Sequence, residues 1–80
     1  MSKKKRVFGS KEVVKTLVKY FGFVVIKQRG SHIKCQKIIG GRKITTIVPN
    51  HKELATGTLS GVLDLAEIDK YKFLIKIVKR

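Results

Sequence analysis

Two glycine-bearing turn signals, Gly30-Ser31 and Gly40-Gly41, constrain this chain most, because they cut the stretch from Phe23 to Pro49 into three short runs. The first run, Phe23-Val24-Val25-Ile26 and on to about Arg29, is aromatic and β-branched, the composition that packs well on a pleated surface. His32 to Ile39 reads as the returning strand. Ile44-Thr45-Thr46-Ile47-Val48 reads as the third, ended by Pro49, which has no N–H to give to a ladder. Strands joined by such short connections pair antiparallel. On the middle strand Ile33, Cys35, Lys37 and Ile39 share one face, and His32, Lys34, Gln36 and Ile38 share the other.

Helical patterns flank this sheet. Ser10 is placed to cap a helix, with Glu12 in the first turn, where the positive end of the helix dipole favours a carboxylate. Val13, Val14, Leu17, Val18 and Phe21 follow at helical spacing, Lys11, Lys15 and Lys19 lie on another face, and Gly22 is a natural stop. Residues 50–57 form a connection, after which Thr58 is expected to cap a second helix whose inner stripe is Leu59, Val62, Leu63 and Ala66. In the last segment Phe73, Leu74, Ile77 and Val78 fit a helix, with Asp69 as cap and Ile68 and Phe73 as a hydrophobic staple. Tyr71, Phe73, Ile75 and Ile77 also alternate as a strand would; helix is the preferred reading. The expected architecture is α+β: helix, three-stranded antiparallel sheet, helix, then a helical C-terminal extension, which is the element order of a double-stranded-RNA-binding-like fold. A basic arm at residues 1–9 would precede a single domain at 10–80.

Charge then narrows the function. Nineteen Lys and Arg stand against five Asp and Glu in 80 residues, a net charge of +14. So much like charge opposes compaction and attracts polyanions, of which nucleic acid is the commonest. Cys35 is the only cysteine, which excludes an internal disulfide and a multi-thiolate zinc site and makes a reduced, cytoplasmic setting the default. No apolar run approaches the roughly 18 residues that would span a bilayer, and no apolar secretion segment follows Lys3-Lys4-Lys5-Arg6.

Two histidines are available for chemistry. His32 opens a strand beside Lys27, Arg29 and Lys34. RNA is cleaved without metal when a base takes the 2′-hydroxyl proton, a cation stabilises the phosphorane and an acid protonates the leaving oxygen. Imidazole suits the proton transfers, and Lys or Arg suits the phosphate. A surface histidine at a turn is the plainer alternative. His51, in Val48-Pro49-Asn50-His51-Lys52, is either a second proton-transfer group or a loop residue, and the loop role is favoured. Asp64, Glu67 and Asp69 lack a companion histidine at ligand spacing and read as solvated helix charges, so no metal or cofactor is expected. Ser31 has no acidic residue placed to complete a hydrolytic triad. Lysine is absent from Thr58-Leu59-Ser60-Gly61-Val62, where ordinary double-stranded-RNA binders carry a basic cluster. Basic residues gather instead at 3–6, 27–29, 34–37 and 42–43, so the expected RNA contacts are Lys27, Arg29, Ser31, Lys34, Arg42 and Lys43.

Five segments together resemble one family. Ser10-Lys11-Glu12-Val13-Val14-Lys15-Thr16-Leu17, Phe21-Gly22-Phe23-Val24, Arg29-Gly30-Ser31-His32, Val48-Pro49-x-His51 and Glu53-Leu54-x-x-Gly57-Thr58-Leu59 are similar, in order and spacing, to the HicA toxins, also called YcfA-like. The resemblance covers about residues 10 to 66. It implies the toxin of a type II toxin–antitoxin pair, an mRNA interferase that is a metal-independent endoribonuclease, with His32 as the catalytic residue. It also implies a HicB-type antitoxin that masks His32. The chain departs from many family members in carrying Ile33, where they have a second histidine or an aromatic, and in its more basic ends. Beside this stands a reading from another class, a non-catalytic RNA-binding module; a ribosome-associated basic protein ranks third.

Overall fold

In the computed structural model, which describes residues 7–78, both turn signals reverse the chain. β1 (Val24–Arg29), β2 (His32–Ile39) and β3 (Arg42–Pro49) form one antiparallel sheet in the order β1-β2-β3. At the first turn Gly30 has a positive φ of 55° and Ser31 does not, the sign pattern of a type II′ turn. At the second, Gly40 and Gly41 are both positive, at 56° and 77°, the pattern of type I′. Both types match the twist of the flanking strands, so Arg29 faces His32 and Ile39 faces Arg42 across the loops. β3 is longer than the β-branched run alone suggests. It starts at Arg42 and takes in Pro49, whose missing N–H is tolerated at a strand end.

Three helices, α1 (Ser10–Phe21), α2 (Thr56–Ala66) and α3 (Lys70–Val78), cover one side of the sheet. α1 lies against β1 and β3, α2 against β3, and α3 on α1. From the sheet, Ile33, Cys35, Ile44, Thr46 and Val48 are buried beneath Val13, Leu17, Val62, Leu63, Phe73 and Ile77. The helix-side face ends before the second hairpin turn: Ile39 is exposed, and Lys37 is half-buried with its Nζ 5.6 Å from the centre of the Phe23 ring. Thr46 is the one buried strand hydroxyl of this layer, and it donates to the Val62 carbonyl at 2.7 Å, fixing α2 to the sheet.

The helix starts differ from the sequence expectation. Ser10 is not a cap: Gly9 holds that position, and its N–H donates to Glu12 Oε1 at 3.3 Å. Ser10 is drawn into the interior instead, where its N–H donates to the His51 carbonyl (2.9 Å) and its hydroxyl to Asn50 Oδ1 (3.0 Å). Nor does Thr58 cap α2, which begins at Thr56 with Ala55 as its cap. Leu54 is buried and its N–H donates to the Phe8 carbonyl at 2.8 Å, so the chain must enter the helix at once to bring Leu59 onto the core. Phe8 itself is in the core, so the packed domain takes in residues ahead of Ser10; Lys3 to Arg6, and the terminal Lys79 and Arg80, lie outside the described residues.

The C-terminal segment is helical. Asp69 Oδ2 accepts from the Lys72 N–H at 3.0 Å as a cap, Phe73 and Ile77 are buried one turn apart, and Phe73 stacks on Phe21 at 5.7 Å. A strand would have buried Tyr71 and Ile75 with them, and both are exposed.

Candidate nucleic-acid interface

Helices cover one side of the sheet, and the other carries a ladder of cross-strand rows. Register places Arg29 opposite His32 and His32 opposite Pro49. The next same-face row joins Lys27, Lys34 and Ile47, and the third joins Val24, Gln36 and Thr45. Beyond these lies the Ile38–Lys43 pair. Facing residues in an antiparallel pair sit with Cβ atoms roughly 5 Å apart, so neighbouring side chains in each row are within reach of one ligand. The β-bulge between Val25 and Lys27 brings Lys27 into line with Lys34 and Arg29 with His32.

Of the residues singled out from sequence, the structure gathers His32, Arg29, Lys27 and Lys34 at one end of this open face and Lys43 at the other. His32, Arg29, Lys27 and Lys43 are exposed, and Lys34 is half-buried. Lys27 directly opposite Lys34 sets like charges face to face, an arrangement that destabilises a sheet unless an anion sits between them. Gln36 Nε2 donates to Thr45 Oγ1 at 3.2 Å and tightens the row beside them.

Arg42 is not brought to this face. By alternation it shares the helix side with Ile44, Thr46 and Val48, and its guanidinium grips both oxygens of Glu67 at 2.8 Å. That double hydrogen bond raises the Arg42 pKa and lowers that of Glu67. His51 lies two residues past Pro49, the strand partner of His32. Its backbone N–H donates to the Pro49 carbonyl and its carbonyl receives the Ser10 N–H, in the loop role. A cavity of about 380 Å³ there is lined by Gly9, Ser10, Lys11, Asn50, His51 and Lys52 at the start of α1.

Ser31 contributes through its backbone: its carbonyl accepts from the Asn50 N–H at 2.6 Å. Asn50 thereby ties the hairpin tip to the end of β3, while its side chain accepts from Ser10 of α1. The sequence reading gives Asn50 no role. Its only signal is a Pro-Asn pair at a strand end, which marks a turn and not the long-range contacts it makes.

Among the described residues no Phe, Tyr or Trp lies on the open sheet face, so it lacks the large stacking platform of many single-strand binders. The face offers cations in neighbouring cross-strand rows, and one imidazole. Such a set recognises phosphate. No group of three or more His, Cys, Asp or Glu among the described residues could hold a metal ion, and none of the described helices is long and apolar enough to cross a membrane. Asp69 caps α3 and Glu67 pairs with Arg42, which accounts structurally for two of the three acids near the C-terminus. Cys35 is fully buried, and burial pushes its thiol pKa up, which keeps it a small hydrophobe.

The model of one protein family, the HicA toxin of bacterial toxin–antitoxin systems, matches residues 10–68. That span holds α1, the whole sheet, α2 and both histidines, and it ends before α3. No curated protein and no solved structure matches the chain. A match over most of the length, on the elements that build the basic face, places the chain by descent: it belongs to the HicA toxin family of toxin–antitoxin systems.

Proposed function

We propose that this toxin is a metal-independent endoribonuclease whose substrate is mRNA and whose catalytic residue is His32. The observation that carries the reading is the pairing of His32 with Arg29 at the hairpin tip, next to the facing Lys27 and Lys34 on the same side of the sheet. The phosphate sits over these three cations, with Lys43 and the Ser31 turn extending the contact along the strand. The 2′-hydroxyl attacks the adjacent phosphorus, the O2′–P bond forms and the P–O5′ bond breaks. The proton that leaves the 2′-hydroxyl ends on the departing O5′, and His32 is the group on this face able to move it. Arg29, Lys27 and Lys34 offset the charge that grows on the phosphorane.

An antitoxin of the HicB type fits the same face, since a protein laid over the hairpin would cover His32 and supply acids to the basic rows. The alternative reading is a non-catalytic RNA-binding module. One feature favours it: among the described residues nothing hydrogen-bonds the His32 ring, so the orienting contact for a proton-transfer group must come from the substrate.

Incubation of the purified chain with a long mRNA in excess EDTA decides between the two. The ribonuclease reading expects fragments with EDTA present and loss of cutting of about a hundredfold or more in His32→Ala, the scale of general acid–base catalysis. The variant should keep the circular dichroism and RNA affinity of the parent. Undiminished cutting by His32→Ala removes His32 from the mechanism, and binding without fragments in the parent leaves the binding module.

A further inference from the structure

Helix α3 carries more apolar surface than the fold uses. At ~100° per residue, the apolar side chains run around the helix from Phe73 through Ile77, Leu74, Val78 and Tyr71 to Ile75, an arc of ~200°, about twice the stripe a surface helix needs to face its core. Only Phe73 and Ile77 are buried. Tyr71, Ile75 and Val78 stand on the outside, 75%, 55% and 53% exposed, and with Leu74, which is half-buried and packs on one side against the core, they form a second ridge at i, i+3, i+4 and i+7. They line an apolar concavity of about 430 Å³. Leu74 is shared with an adjoining groove of about 200 Å³ that reaches Val7 and Leu59, so the apolar surface continues off the helix toward the start of α2. Lys70 and Lys72 flank the ridge, both exposed.

We infer that this outer ridge of α3 is a docking site for an acidic amphipathic segment of the antitoxin, separate from the His32 face. The inference rests on the toxin–antitoxin family and not on the ribonuclease reading. Three observations select the occupant. The ridge has the i, i+3, i+4, i+7 pattern by which a helix engages a partner groove or helix. Lys70 and Lys72 beside it are positive, and the acid that precedes the helix, Asp69, is engaged as the α3 cap. Self-docking would bring together two molecules of net charge +14 through lysine-edged surfaces, and Met1 to Arg6 of the same chain is itself basic. A partner with apolar residues at the centre and carboxylates at the edge meets no such opposition. α3 also lies beyond residues 10–68, so the site belongs to this chain's extension and not to the core that the family shares.

The test uses the full-length protein and two labelled helical peptides with leucine at i, i+3, i+4 and i+7. One carries glutamate and the other lysine at its polar positions. Fluorescence anisotropy at about 0.15 M salt, where charges more than about 8 Å apart are largely screened but contacting ones are not, should show the glutamate peptide binding about tenfold tighter than the lysine peptide. Ile75→Ser and Tyr71→Ser, both at exposed positions, should each weaken the glutamate peptide about tenfold, while Lys27→Ser on the sheet leaves it within about twofold. RNA cleavage should be unchanged in Ile75→Ser, so failure of the docking site and failure of the ribonuclease reading are told apart. Absence of binding, equal binding of both peptides, or an equal loss in Lys27→Ser overturns the proposal. Dimerisation in sedimentation velocity that Ile75→Ser abolishes would give the ridge to a second copy. Capture by phosphatidylglycerol vesicles in place of the peptide would give it to a membrane surface.

Discussion

Gly9 has an ordinary φ of −89°, so its need for glycine is one of space and not of backbone conformation. A Cβ at this position would stand 2.4 Å from the Lys52 carbonyl oxygen, a backbone atom held in place by the Ser10–His51 and Leu54–Phe8 hydrogen bonds on either side. Gly→Ala at a compatible site usually stabilises by about 0.4–1 kcal/mol through the unfolded chain. Here the clash wins, and Gly9→Ala is expected to cost about 1–3 kcal/mol, the range for overpacking; denaturant unfolding reads the sign directly. Glu67 poses a different residue-scale question. The double hydrogen bond from Arg42 holds its carboxyl below the usual carboxylate value, so its contribution is present above the unfolded pKa of about 4.3 and is lost as pH falls through the lower folded value. Both partners are exposed, so the contribution is small. In Glu67→Gln the drop in Tm between about pH 6 and pH 3 should be smaller than in the parent; an equal or larger drop would mean that the pair does not form in solution.

At the scale of elements, the Lys27–Lys34 pair links β1 and β2 at a cost that only an anion recovers. Lys27→Thr removes the opposed charge and adds a good strand former, so stability should rise by about 0.2–1 kcal/mol. RNA affinity should fall at the same time, and the log–log salt dependence should become shallower by about 0.7 for a single-stranded RNA. Denaturant unfolding and filter binding at several salt concentrations test the two halves separately. A variant that is less stable, or has an unchanged salt slope, would show that the pair is not an anion seat. The strands and helices themselves were legible in sequence because period and turn chemistry are local. Gly30-Ser31 and Gly40-Gly41 set the hairpins, and Asp69 set the start of α3. The starts of α1 and α2 were not legible, because the Phe8–Leu54 bridge and the Ser10–Asn50 contact fix them, and neither pairing has a local signature. Arg42 shows the same limit within the site. Counting basic residues near the hairpins groups it with Lys43, but consecutive strand residues point to opposite faces, and Glu67 waits on the helix side.

For the whole molecule, nineteen basic residues stand against five acidic ones, and the described residues form a body with a radius of gyration of 12.6 Å. The Debye length is about 10 Å at 0.1 M salt and about 30 Å at 0.01 M, so at low salt the lysines among the described residues repel one another across the fold. Five acids cannot pair with nineteen bases, and unfolding relieves the repulsion by moving the charges apart. Sodium chloride should therefore raise the Tm while it weakens RNA binding, two effects of opposite sign from one charge distribution. The exposed ladder Lys11, Lys15 and Lys19 on α1 sharpens the test, since like charges four apart on a helix add about 0.2–0.5 kcal/mol of local repulsion per pair. These lysines lie on the helix layer and not on the sheet face that carries His32. Their joint replacement by glutamine should raise the Tm most at about 0.02 M salt and little at about 0.5 M, where the Debye length is shorter than the spacing between the helix ladder and the rest of the charge. A Tm that is indifferent to salt in both proteins would place the limit on stability in the small apolar core. A salt-dependent parent with a salt-independent glutamine variant would place it on α1, and the remaining cations of the sheet face would then be held at little cost until RNA or an acidic partner arrives.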